Sequence, residues 1–241
     1  MKSRLALLLL ILWPLSSRSQ SFEDRLRQTE KVVFFDSVVV AKSALQQAVK
    51  LTPNAGRVRV DTLGASINEN TYGDVRYLCV DSVLSKSVRV GDVWHEPEPL
   101  KGLENLKAAN PFMMPDGQTI YFSQRTKDKL DVCITRYDSD NKVYLKPEIL
   151  GFPFNSASND YLFCIDEPSG VGFFATDRRQ TDGFACVYYF LHEGPRDRWT
   201  STNLDVLKSR AEIRSIVDTQ EGREEDIRKA KENWSNALEN K

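Results

Sequence analysis

The chain is poor in the residues that most chemistry needs. It holds two histidines, His95 and His192, among 241 residues. Both sit in polar segments, HEPEP and LHEGPR, with no nucleophile motif beside them. No G-x-S-x-G elbow occurs, which removes the usual frame of a serine hydrolase. Neither G-x-x-x-x-G-K-[ST] nor G-x-G-x-x-G occurs, so the common phosphate cradles are missing. The four cysteines, Cys79, Cys133, Cys164 and Cys186, contain no C-x-x-C, and zinc-ligand spacing is absent. The D-x-[DN]-x-[DN]-G calcium loop is absent too. There is no basic excess: 33 Lys and Arg face 34 Asp and Glu, for a net charge of −1. That balance argues against neutralising a phosphate backbone, so no nucleic-acid partner is expected. The residues point to no enzyme, no metal and no cofactor.

One long apolar run is present, at the start. Lys2 and Arg4 precede Leu5 to Leu12, then Trp13 and Pro14, with small Ser17 and Ser19 at −3 and −1. This is the layout of a secretory signal peptide over residues 1–19, with an uncleaved anchor as the alternative. The run is too short to span a bilayer, and the mature chain is expected to carry no transmembrane helix. Loss of Lys2, Arg4 and Arg18 takes three from 33 positive charges and none from 34 negative ones, leaving −4. An exported chain permits disulfides. Each cysteine nevertheless lies in an apolar, strand-like run (YLCV, DVCI, LFCI, ACVYY), as small buried hydrophobes do.

Residues 20–61 read as a lead: a short polar helix over 21–30, a strand over Lys31 to Val40, a helix over Ala41 to Leu51 and a strand over Arg57 to Asp61. Residues 64–74 are polar and rich in turn formers. Over residues 62–200 the texture becomes short β-type runs separated by turns, with Asp116-Gly117 and Pro168-Ser169-Gly170 as hairpin signals. Residues 201–241 turn helical, over Leu204 to Thr219 and Glu221 to Glu239. The β region repeats. Asn110-Pro111-Phe112 corresponds to Asn159-Asp160-Tyr161, Tyr121-Phe122-Ser123 to Phe173-Phe174-Ala175, and Cys133-Ile134 to Cys186-Val187, about 50 residues apart. A weaker copy aligns Leu78-Cys79-Val80 with Val132-Cys133-Ile134, and Trp94 to Leu100 with Tyr144 to Leu150.

The segment Asn110-Pro-Phe-Met-Met-Pro-Asp-Gly-Gln-Thr-Ile-Tyr-Phe-Ser123 resembles the WD40-like β-propeller repeat of exported bacterial proteins, related to the propeller of the periplasmic Tol system. Asp131-Val132-Cys133 fits its third strand, and Thr176-Asp177-Arg178 fits its S-D-R. Leu150 to Ser156 and Gly172 to Gln180 extend the likeness to envelope proteins of Gram-negative anaerobes. Val33 to Val40 and Ala211 to Ile216 fit the ends of that group. The resemblance implies a mainly β, propeller-like fold of about three to four blade-like antiparallel units in an incomplete ring, with N- and C-terminal helices. It implies a non-enzymatic, protein-binding or scaffolding role in the periplasm or at the cell surface, and no shared catalytic residues.

The candidate contacts follow. Asp177, Arg178 and Arg179 form a polar cluster, and arginine is enriched at interface hot spots. Trp94, Tyr144 and Trp199 fall near blade ends, where rings could stack on a sugar or anchor a protein partner. Asp160 and Asp166 are acids at strand ends; turn capping, calcium binding and paired-carboxylate hydrolysis are three uses of such residues. Ile227, Trp234 and Leu238 share one face of the last helix and suit either packing on the domain or a partner. A glycan- or peptide-binding module is the second functional reading, and a propeller-type hydrolase the third.

Overall fold

The computed structural model describes residues 21–61, 65–194 and 196–239. The expected signal peptide, 1–19, lies outside them. The chain is mainly β, arranged as three antiparallel sheets. A short helix α1 (Phe22–Leu26) precedes strand β1 (Phe34–Ala41). The first sheet holds β2 (Arg57–Val60), β3 (Ser66–Glu69), β4 (Val75–Val80), β5 (Val83–Val90), β6 (Val93–Trp94) and β7 (Glu98–Pro99). The second holds β8 (Ala108–Met113), β9 (Thr119–Thr126), β10 (Lys129–Asp138), β11 (Val143–Tyr144) and β12 (Glu148–Ile149). The third holds β13 (Asp160–Asp166), β14 (Val171–Thr176) and β15 (Phe184–Leu191), and β1 pairs alongside β15 as its fourth strand. Helices α2 (Leu204–Glu212) and α3 (Glu224–Glu239) follow. Among the described residues the sheets form no closed barrel or propeller.

The packing follows from the two-residue period of a strand, which sends neighbours to opposite faces. Tyr121 and Val132 of the second sheet join the core of the third sheet. Ile120, Phe122 and Cys133, one position away, join Tyr77 and Leu84 of the first sheet. The second sheet is therefore buried on both faces. In the third sheet β13 and β14 are buried on both faces as well, while β1 is exposed over Asp36 to Val39. Phe34, Phe163 and Phe190 fill the side toward the second sheet. On the other side, Trp234 of α3 packs on Phe173 and Tyr189 at 5.8 Å each.

Several local expectations hold. Asp116 accepts from the Gln118 and Thr119 amides at 2.8 Å, and Gly117 turns at φ 66°, so the β8–β9 hairpin folds where Asp-Gly marks it. The segment Lys42–Ala48 is helical but of the 3-10 kind. The C-terminal helix expected to reach Thr219 stops at Ile213, which adopts φ 50°. Segment 64–74, read as turns, contains β3, buried throughout. Its polar residues serve the sheet junction: Asn68 accepts the Met113 amide at 2.8 Å.

The sequence correspondences shift by a few residues. Asn110 and Leu162 are the bulged, positive-φ residues of β8 and β13, and they lie 52 apart, like Tyr121 and Phe173. Asn159, matched to Asn110 by sequence, sits three residues earlier. Cys133 pairs Phe122 while Tyr188 pairs Phe174, so Tyr188, not Cys186, is its counterpart. In the first sheet the counterpart of Cys133 is Ser85, not Cys79. Ser85 pairs Pro99 as Cys133 pairs Ile149. The Ser87 hydroxyl donates to the His95 carbonyl as Thr135 does to that of Leu145, at 2.6 Å each. Strand ladders fix these registers; short sequence matches slide along them.

Candidate functional site

The residue stretch entering β1 and the loop leaving β15 run side by side. The Glu30 amide donates to the Phe152 carbonyl and the Lys31 amide to that of Asp197, both at 2.8 Å. The Trp199 amide donates back to Thr29 at 3.0 Å. These bonds hold open a cleft of about 360 Å³ between the second and third sheets. Its floor is apolar: Val33, Tyr121, Phe154, Phe163, Ile165 and Phe190. The rings pack on one another, Tyr121 on Phe163 at 4.6 Å and Phe154 on Phe163 at 4.9 Å and 89°. Gly172 makes room for this floor. A Cβ there would stand 2.1 Å from the Phe190 ring.

The rim is charged. Glu30 faces Arg196 at 3.4 Å, and Arg223 pairs with Glu193 and, at 2.8 Å, with Asp226. Burial raises the Glu30 carboxyl above its usual range, against the pull of Arg196 and Arg198. Burial also raises the Tyr121 phenol, with Arg196 beside it opposing. His192 is pushed the other way, below its usual value, by burial. A fixed apolar floor under such a rim can receive a flat or branched apolar group that carries a charge.

No family model, curated protein or solved structure matches the chain.

The structure scatters the sequence-based candidates and buries several. Asp160 is fully buried and Arg178 only 4% exposed; they form an ion pair at 2.8 Å. Asp160 also accepts from the Ser156 amide and hydroxyl at 2.6 and 2.8 Å. Burial still raises its carboxyl, with Arg178, Thr176 and Ser156 opposing. Arg178 further donates to the carbonyls of Pro153 and Ala211. It is a strut between the third sheet and α2, not a surface hot spot. Arg179 is exposed but occupied: it donates to the Glu212 and Ile213 carbonyls at 2.6 and 2.7 Å, capping the C-terminus of α2. Asp166 is also fully buried and accepts from the Thr52 amide and hydroxyl at 2.5 and 2.9 Å. Asp177 accepts from Lys42 at 2.7 Å and from the Asn159 amide and side chain at 2.9 Å each. Burial works against its charge, but these bonds outweigh it and hold the carboxyl below its usual value. The three acids are consumed in holding loops together, the turn-capping use named above for acids at strand ends.

The aromatics differ among themselves. Tyr144 is buried against Tyr137 at 5.2 Å, a core ring and not a docking ring. Trp199 is half-buried, with Arg210 over it at 4.9 Å and Lys31 at 5.7 Å. Trp94 is half-buried on the first sheet beneath Arg76 at 4.4 Å. The face of α3 read for a partner is taken by its own chain. Ile227 and Trp234 pack on the third-sheet core, and the Trp234 indole donates to the Lys50 carbonyl at 2.8 Å. Leu238 is half-buried near the end of α3.

The cysteines are free thiols. Cys133, Cys164 and Cys186 are buried, and burial raises the Cys79 and Cys133 thiols to about 12. Among the described residues no cluster of three His, Cys, Asp or Glu could hold a metal, and no helix is long and apolar enough to cross a membrane. Sequence reading missed the cleft residues Glu30, Tyr121, His192 and Arg196. For Glu30, His192 and Arg196 the one signal was position: the polar turns TEK and LHEGPR flank two apolar strands that prove to be neighbours.

Proposed function

We propose that the chain is a non-enzymatic, exported protein-binding module of the cell envelope. In this reading the three sheets are propeller blades of the WD40-like kind, fanned open, with β1 completing the last of them. The observation that carries the reading is the cleft: aromatic rings make a rigid apolar floor, and Lys31, Arg196 and His192 stand on its rim. Such a cavity suits an apolar anchor side chain from a protein partner, held at its polar end by the rim. The acids that could have supported hydrolysis, Asp160, Asp166 and Asp177, instead bond backbone amides and cations of their own chain.

The test is a cross-linked pull-down from the native envelope with the wild-type chain and with Arg196→Glu. We expect one near-stoichiometric protein with the wild type, lost with the variant at an unchanged melting temperature. Retention of that protein by Arg196→Glu would sink the assignment to this cleft. The second reading, a glycan- or peptide-binding module for nutrient capture, rests on the same ring-floored cavity, since sugars stack on aromatic faces. It predicts instead a rise in melting temperature with a glycan, and no protein partner.

A further inference from the structure

The three sheets end differently at their outer edges. In the first sheet the last place is shared by β6 and β7, and in the second by β11 and β12, each two residues long. Glu98, Pro99 and Glu148 stand in these pieces. Short, broken strands carrying charge and proline offer a passing chain little to pair with. The third sheet ends on β1, eight residues long and free of proline and glycine. Its opposite edge, β13, is buried throughout. The sheet therefore has one open edge.

The register of β1 on β15 says which backbone groups face that edge. The Lys42 amide donates to the Gly183 carbonyl at 2.8 Å, and bonded pairs alternate along an antiparallel ladder. Val40, Val38 and Asp36 therefore bond to β15, while Ala41, Val39 and Ser37 turn away from it. Phe34, before the bulge, also turns outward, and the chain seals it. Its amide donates to the Thr219 hydroxyl at 3.0 Å, and its carbonyl accepts from the Gln220 side chain at 2.9 Å. The seal stops there. Among the described residues the Val39 amide and carbonyl have no partner, and the Ser37 amide has the carboxylate of its neighbour Asp36, at 2.8 Å. Asp36 to Val39 are exposed, Val39 by 53%. Phe184, opposite Ala41, adds an exposed ring beside Val39. Beyond Lys42 the chain leaves the edge and crosses the sheet: Tyr189 of β15 donates to the Ala48 carbonyl, and Asp166 of β13 accepts from Thr52.

We infer that β1 is the interface of a two-fold dimer, in which the β1 strands of two copies of this chain pair antiparallel, edge to edge. The strand's own sequence selects the occupant. A two-fold axis through Val39 sets that residue opposite its own counterpart. Ser37 then meets Ala41, so outward backbone groups meet outward backbone groups. Val38 meets Val40, and Asp36 meets Lys42, the two charges of the stretch and opposite in sign. Pairing exchanges the local bond of the Ser37 amide for a ladder bond and frees the Asp36 carboxylate for Lys42. An ammonium has three donors, so Lys42 keeps its bond to Asp177 at 2.7 Å. An unrelated strand would have to supply this match, whereas a second copy carries it. With one open edge per copy, the contact closes at two and builds no fibre. The cleft lies before the start of β1, at Lys31 to Val33, and the pairing uses the strand's other end.

The experiment is sedimentation equilibrium of the purified chain over a wide concentration range, with hydrogen exchange read at low and high concentration. We expect monomer and dimer in reversible exchange. The β1 peptide should exchange more slowly at high concentration, and the β5 peptide should not change. Val39→Lys sets like charges on the two-fold axis, and Val39→Pro removes an outward amide that β15 does not use. Each should raise the dimer dissociation constant about tenfold or more, Val39→Lys at an unchanged melting temperature. Should Val39→Pro unfold, Val39→Lys gives the same test. Asp36→Lys opposes like charges twice across the pair and should raise the constant about threefold or more. The cleft variant Arg196→Glu should leave it unchanged, so failure of the dimer and failure of the cleft reading are told apart. A monomer at every concentration overturns the inference. So does a dimer untouched by Val39→Lys, or one indifferent to Asp36→Lys. A monomeric chain that captures an unrelated extended peptide on β1 overturns it as well, since the occupant is then another protein.

Discussion

A charge buried away from water must be answered at once by its neighbours, and Asp160 and Arg178 answer each other. Both side chains lie within the third-sheet junction, at 0% and 5% exposure. Removing one strands the other, at a cost of about 3–5 kcal/mol. Asp160→Ala and Arg178→Ala are each expected to lower unfolding free energy by that amount in urea titration. The double variant Asp160→Leu/Arg178→Met should lose distinctly less than the two single losses combined. Additive losses would mean that the pair does not act as a unit. The residue types here were legible in the sequence, since Asp and Arg at strand ends mark polar work. Their direction was not. Arg178 and Arg179 are adjacent in sequence and both reach the end of α2, yet one is buried against Asp160 and the other is exposed, and only the fold says what stands around each.

At the scale of elements, hydrophobic pattern says that a face is covered but not by what. Helix α3 carries Ile227, Ala230 and Trp234 on one side, a pattern equally suited to a partner or to its own sheet. The structure gives that side to Phe173, Tyr189 and Phe35 of the third sheet, with Lys231 over the Phe35 ring at 5.4 Å. Trp234→Ala removes these ring contacts and the bond to the Lys50 carbonyl. A loss of about 2–3 kcal/mol is expected by denaturant unfolding, with Trp234→Phe losing less. An unchanged midpoint for Trp234→Ala would free the helix for a partner after all. Strand β1 teaches the same lesson. Its β-branched and aromatic residues made it legible as a strand. Its pairing with β15, about 150 residues later, was not legible, since sequence pattern carries no information on which distant edge a strand will meet.

At the scale of the whole molecule, the three sheets differ in how completely they are enclosed. Every residue of β13 and β14 is buried, whereas β5 alternates and its last three residues are exposed. Amide protection follows burial and enclosure, so exchange should be slowest in β13 and β14 and faster by orders of magnitude in β5 and β6. Hydrogen exchange read by mass spectrometry checks this order. Equal protection across the sheets would mean that they open as one unit. The same asymmetry leaves the outer end of β5 open to solvent while α3 covers the third sheet.

The sequence by itself determined the β character of the middle of the chain, the Asp116-Gly117 hairpin, the amphipathic last helix and the absence of nucleotide and zinc-finger motifs. Each of these is set within a few residues, by backbone preference or by spacing along one element. Only the tertiary structure decided the register of the sheets, the placement of β1 beside β15, the structural use of Asp160, Asp166 and Asp177, and the cleft that joins Glu30, Tyr121 and Arg196. Those depend on meetings between segments separated by tens to hundreds of residues. The energy of such a meeting resides in the pair, in burial and in the water displaced between them, and no single segment carries it alone.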